Sequence, residues 1–230
     1  MKKFKLTSVA AAASIAMGAA FAPQAVQADV SATVGVSSMY LWRGQNLTPD
    51  GGQVHGSMDY SNKSGLYAGV WTSAEEGGHE TDLYVGFGGS VGDFGYDISY
   101  WRYLYPEDGT NVDLGDNDAA EVVLSGSYGP VTATAYIQVD SDNQDNNYFT
   151  VSGSFDKFTV LYGWWDHEFA AGNDYSHITL SYAATDEISA SISFADNDVA
   201  DSATGTVSAG GAIETDPLFQ IGYTKSFDLK

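Results

Sequence analysis

Four histidines, His55, His79, His167 and His177, are the residues of this 230-residue chain best suited to acid–base or metal chemistry. Their spacing does not support it, because none forms an H-E-x-x-H or comparable ligand pattern. His177 lies next to Ser176 and close to Ser181, and a base and its nucleophile need only be neighbours in space, so half of a hydrolase site can be drawn there. Serines are so abundant around it that the pairing is expected by chance. The run Asp140-Ser141-Asp142-Asn143-Gln144-Asp145 resembles a calcium loop but lacks glycine at its sixth position and has Val151 where the bidentate acid belongs, which excludes an EF-hand. Weak divalent-cation binding by Asp113, Asp116, Asp140 and Asp142 remains an expectation. Gly86-Phe87-Gly88-Gly89 is followed by no helical pattern, so it is not a nucleotide-binding turn. With no cysteine there is no thiolate metal site, redox pair or disulfide. No enzyme and no cofactor is expected.

The elements that carry these residues read as strands. From Val30, the positions Val30, Ala32, Val34 and Val36 alternate with Ser31, Thr33, Gly35 and Ser37. Such period-two alternation marks a strand with one apolar and one polar face. It recurs in Val131, Ala133, Ala135 and Ile137 against Thr132, Thr134, Tyr136 and Gln138, and in Ile188, Ala190, Ile192 and Phe194 against Ser189, Ser191 and Ser193. The polar face is built of Ser, Thr, Gly and Gln rather than of Lys and Glu. A sheet facing bulk water would carry more charge, so the second face reads as enclosed or water-lined. About twelve such segments fall near 30–41, 52–60, 65–74, 80–89, 94–105, 119–128, 130–139, 147–155, 157–166, 174–184, 187–195 and 217–229. Most are close to the roughly 9–11 residues that a tilted strand needs to cross a bilayer.

The connections alternate between short ones (61–65, 90–95, 128–130, 155–157, 184–187) and longer ones (42–51, 75–79, 106–118, 140–146, 167–173, 196–216). The pattern predicts one all-β domain over 29–230, an antiparallel transmembrane β-barrel of about twelve strands, with 10 or 14 as alternatives, short periplasmic turns and longer acidic extracellular loops. Residues 1–28 have Lys2, Lys3 and Lys5, an apolar stretch and Val26-Gln27-Ala28, which reads as a cleaved signal peptide. Its removal takes three cations and no acid, moving the formal charge from −21 to −24, six basic residues against 30 acids. Nucleic acid is not a partner expected at that charge. Lys63, Lys157, Lys225 and Lys230 collect at the short-turn end, opposite the acidic loops.

The remaining charges and rings have assigned places in such a barrel. Asp59 and Asp97 are expected in the lumen near the periplasmic mouth, and Glu80, Asp82 and Glu121 near the outer one. Arg43 is either a lumen cation paired with Asp82 or Glu121 at a constriction, or a side chain reaching up to lipopolysaccharide phosphates. Arg102 takes the second role, because it shares parity with Tyr100 and Leu104. Tyr40, Trp42, Tyr60, Tyr67, Trp71, Trp101, Tyr103, Tyr105, Trp164 and Trp165 lie near strand ends or on strand faces and are expected to form the two aromatic girdles of the lipid-facing band.

The run Tyr40-Leu41-Trp42-Arg43-Gly44, with Asp59-Tyr60, Ser64-Gly65-Leu66-Tyr67-Ala68-Gly69-Val70-Trp71 and Asp82-Leu83-Tyr84, resembles the TorF family of porins from Gram-negative outer membranes. The motifs cover the first third closely, and the general pattern continues to the C-terminal end. The resemblance implies a β-barrel and a channel, with no catalytic residues. For twelve strands the backbone radius is roughly 12 Å, so small inner side chains would leave a narrow aqueous path. The function expected first is passive passage of small cationic or neutral solutes. The alternatives are a non-conducting surface protein whose acidic loops bind divalent cations or a partner, and an embedded hydrolase. Outer-membrane lipid, lipopolysaccharide and the barrel-assembly machinery are the partners expected.

Overall fold

The outward faces of this protein's strands are mainly apolar, and serines and threonines are concentrated on the inward faces. The structure, a computed structural model, describes residues 29–49, 51–75, 78–105, 119–139, 146–167, 175–197 and 215–229. The expected signal peptide and the acidic positions Asp113, Asp116, Asp140 and Asp142 lie outside the described residues. Twelve strands form a closed antiparallel barrel: β1 (Asp29–Ser37), β4 (Gln53–Ser61), β5 (Leu66–Glu75), β6 (Gly78–Val91), β7 (Phe94–Leu104), β8 (Ala119–Tyr128), β9 (Val131–Gln138), β10 (Asn146–Phe155), β11 (Phe158–His167), β12 (Tyr175–Ala183), β13 (Ile188–Asn197) and β14 (Leu218–Leu229). Two short strands, β2 (Leu41–Trp42) and β3 (Gln45–Asn46), pair only with each other.

Each strand pairs with its sequence neighbour, and β1 closes the ring by pairing with β14, Val30 opposite Leu229 through Ser37 opposite Gly222. Closure leaves no strand edge exposed, which a spanning sheet requires because hydrocarbon satisfies no backbone N–H or C=O. Alternation then assigns every side chain to one of two environments. Val34, Val54, Met58, Val85, Ile98, Val160, Ile178 and Phe219 are all exposed, whereas Ser73, Thr134, Thr150, Thr179, Ser191 and Ser193 are buried. An apolar band of that extent around a closed barrel marks contact with lipid rather than water.

Two expectations need correction. The first strand ends at Ser37, not near residue 41, because Tyr40 and Leu41 leave the wall and are buried inside the barrel. The connection expected over 75–79 is only residues 76–77, since β5 and β6 stay paired out to Glu75 opposite Gly78. The other eleven strands begin and end within two residues of their expected spans.

Candidate functional site: a caged arginine in the lumen

Between β1 and β4, residues 38–49 turn into the barrel instead of standing above it. A local set of bonds makes it a small folded unit. The Tyr40 N–H donates to Thr48 Oγ1 (2.8 Å), the Leu47 N–H to the Tyr40 carbonyl (2.9 Å) and the Thr48 N–H to Asn46 Oδ1 (3.0 Å). β2 and β3 are joined by the two residues Arg43 and Gly44, with φ of 46° and 85°. Positive φ at both central positions is the two-residue hairpin turn that suits strand twist, and Asn-Gly is its usual sequence. Arg at the first position carries left-handed strain that a non-glycine residue keeps only where surrounding contacts hold it.

Those contacts are extensive. Arg43 is 5% exposed, and its Nη2 donates to both Glu121 oxygens, at 2.8 and 2.6 Å. The guanidinium carbon lies 4.5–4.8 Å from the ring centroids of Trp42, Tyr136, Tyr148 and Trp165. Within about 6 Å of a ring face a cation is attracted by the quadrupole, and the attraction grows when water is absent. Tyr103 donates its hydroxyl to Glu121 Oε2 (2.7 Å), which orients the carboxylate. Tyr175 donates to the Arg43 carbonyl (2.9 Å), and a Cβ at Gly44 would sit 2.5 Å from the His177 ring, so only glycine lets the turn rest on that ring.

Further groups extend along the lumen in both directions. Toward the long-loop end, Tyr105 donates to Glu80 (3.0 Å) beside a cavity of roughly 150 Å³, lined by Trp42, Arg43, Glu80, Tyr103, Tyr105, Ala119, Glu121, Gln138 and Trp165. Toward the short-turn end, Tyr84 donates to Asp59, Ser57 donates to Asp59 (2.7 Å), and Tyr67 donates to both oxygens of Asp97 (2.9 Å). Asp82 is fully buried between them, opposite Trp71 and Tyr103 in the register. The inward positions thus hold Asp59, Glu80, Asp82, Asp97 and Glu121, as expected from parity, and of the two Arg43 partners considered the structure pairs it with Glu121.

The girdle expectation fails for eight of its ten residues. Tyr60 and Trp164 face outward, Trp164 stacked on Phe149 and Tyr162. Tyr67, Trp71, Trp101, Tyr103, Tyr105 and Trp165 instead share the parity of buried inward neighbours, and Tyr40 and Trp42 belong to the inner hairpin. A barrel this wide has an interior that small side chains cannot fill, so rings occupy it. Trp101 stacks on Tyr84 with centroids 4.2 Å apart, and Trp71 lies against Tyr40 and His55. Tyr136, Tyr148, Tyr175 and His177 are also part of the site. Their signal was present: Tyr136 alternates with Ala135 and Ile137 on the same face as Thr132 and Thr134. Arg102 takes the outward parity, next to Leu83.

His177 is not paired with either serine considered for it. Its Nε2 meets the Tyr148 hydroxyl (2.7 Å) and its Nδ1 the Thr179 hydroxyl (3.0 Å), which in turn contacts Ser193 (2.9 Å). Ser176 points outward, and Ser181 is bonded by Ser191.

A closed twelve-stranded antiparallel barrel with a polar, acid-bearing lumen is a porin-like architecture. The chain belongs to the bacterial family of unknown function described as Gcw_chp, whose model matches residues 22–227. No curated protein matches it. Among solved structures it is similar to the KdgM porin (8% identity, 87% of this chain and 99% of that one, TM-score 0.50). It is also similar to a protein from a study of in-meso crystallization of membrane proteins (11% identity, 86% and 84%, TM-score 0.51). A third is the outer membrane phospholipase A from Escherichia coli (9% identity, 89% and 97%, TM-score 0.43). At such identities the likeness is one of fold.

Proposed function

We propose that the protein is an outer-membrane channel of a Gram-negative bacterium, exported through residues 1–28, inserted by the barrel-assembly machinery and passing small cationic or neutral solutes. The observation that carries this reading is the lumen's charge. The inward carboxylates Asp59, Glu80, Asp82, Asp97 and Glu121 outnumber the guanidinium of Arg43 in the lumen. Rings of carboxylates favour cations in a pore. The resemblance to the TorF porins and the porin-like fold support the same reading.

The test is a reversal potential in a planar bilayer under a KCl gradient. K⁺ should be preferred over Cl⁻ at low ionic strength, and the preference should fade near molar salt as the Debye length falls to about 3 Å. Anion preference would overturn the assignment of the lumen acids. A second reading has its own observation: the hairpin buries Arg43, and the rings around it, Tyr136 and Tyr148, are 1% and 0% exposed. A closed lumen of that kind suits a non-conducting surface barrel that meets divalent cations or a partner through its loops, and absence of single-channel current would favour it.

A further inference from the structure

The cage around Arg43 has two origins. Glu121, Tyr136, Tyr148 and Trp165 stand on the barrel wall, on β8, β9, β10 and β11, whereas the guanidinium and Trp42 arrive on the hairpin. The wall alone therefore presents three ring faces and a carboxylate oriented by Tyr103, which is the set of groups that recognises a planar, weakly hydrated cation. On its outer side this set borders the cavity of roughly 150 Å³, where Glu80 and Tyr105 add a second carboxylate and another ring. The occupant is held under strain. Arg43 keeps a left-handed backbone (φ 46°), and the hairpin's two short strands form a sheet of their own, outside the barrel ladder. A free cation of the same chemistry carries no such strain.

We propose that the wall site formed by Glu121, Tyr136, Tyr148 and Trp165 is a binding site for small organic cations bearing a guanidinium group, and that Arg43 is its tethered occupant. Binding from the outer cavity competes with Arg43 and releases the hairpin from the wall. The site recognises the cation through one charge-assisted pair and cation–π contact with three rings. It discriminates against hydrated alkali ions, which gain little from ring faces after losing their water. The inference goes beyond conduction and does not require it.

The test is equilibrium binding of methylguanidinium to the full barrel in detergent micelles by calorimetry, with sodium at equal ionic strength as control. The R43A variant, its wall site vacated, should bind about tenfold more tightly than the parent protein, and R43A/E121Q should lose about tenfold of that affinity. Equal affinity in R43A and parent, or affinity unchanged in the double variant, overturns the proposal. Where R43A does not refold in buffer, recovery of folding with methylguanidinium and not with sodium supports it. Where neither restores folding, the otherwise parental Q45C variant decides. The chain has no other cysteine, and methylguanidinium should raise the maleimide labelling rate in the hairpin by about threefold. Unchanged labelling overturns the proposal. Because none of these readings involves current, a barrel that conducts nothing can still satisfy them, and one that conducts can fail them.

Discussion

Both halves of the lumen wall hold fully buried side chains, but they are built of different residues. On β6 to β11 the inward positions combine hydroxyls such as Thr134 and Thr150 with acids and large rings, among them Glu80, Tyr84, Trp101, Glu121, Tyr148 and Trp165. On β12 to β14 and β1 below Tyr175 and His177 they are Thr179, Ser181, Ser189, Ser191, Ser193, Gln220 and Ser37. Tyr148 is 0% and Ser193 1% exposed, so size does not decide burial here. The difference lies in what each half receives. The small-residue side lets backbone come close: Gln220 donates to the Met39 carbonyl (2.8 Å), and the Ser38 N–H donates to the Ile221 carbonyl (2.9 Å). The ring side receives the side chain that this backbone projects. One wall seats the hairpin and the other binds its arginine.

The largest effect should come from emptying the ring side. Arg43→Ala leaves Glu121 buried without its counter-charge, which costs about 3–5 kcal/mol, and adding Glu121→Gln should recover a substantial part of it. Urea unfolding in micelles measures both. Equal stability of parent and Arg43→Ala would mean that the hairpin is not anchored by this pair.

The outer face should be next. Val85→Arg, near the middle of β6 and lipid-facing, should destabilise by about 2–4 kcal/mol. Its neighbour Gly86 points inward, and parity alone makes it a milder site. The structure corrects that, because a Cβ there would lie 2.3 Å from the Tyr67 ring and 2.8 Å from Ser99. Gly86→Ala should therefore cost about 1–3 kcal/mol through overpacking. If Gly86→Ala is neutral, Tyr67 moves more freely than its bonds to Asp97 imply.

The hydroxyl side should respond more gently. Ser193→Ala removes one contact with Thr179, whose hydroxyl keeps its contact with His177, so the loss should be about 0.5–1.5 kcal/mol in the same unfolding assay. A loss as large as that of Arg43→Ala would show that the two walls are not divided as described. The smallest effect belongs to the short-turn end, where Lys225 donates to Glu187 in the turn after β12. That hydrogen bond holds the Glu187 carboxyl below its ordinary value. A depressed folded-state value contributes stability at neutral pH that is lost as pH falls through it. Glu187→Gln should therefore shift the unfolding midpoint slightly at neutral pH and not at all in strong acid, and a shift that persists in acid would assign the contact's worth to something other than charge.

The barrel is legible in local sequence. Period-two alternation is local, and each strand carries its own record of which residues meet lipid, so a barrel of about twelve strands and the inward parity of Asp59, Glu80, Asp82, Asp97 and Glu121 could be read without any contact information, with 10 or 14 strands left open. Parity also held the answer for Tyr67, Trp101, Tyr103 and Trp165, which it places inside; the habit of aromatic girdles obscured it. The path of residues 38–49, by contrast, depends on contacts made across the closed barrel. Val36, Ser38 and Tyr40 continue the alternation of β1, and nothing local marks Ser37 as the last wall residue. The inward turn is favourable because Glu121, Tyr136, Tyr148 and Trp165, distant in sequence, converge on one point in the lumen. Burial of Arg43 against them is a property of the closed barrel, and no window of the chain contains it.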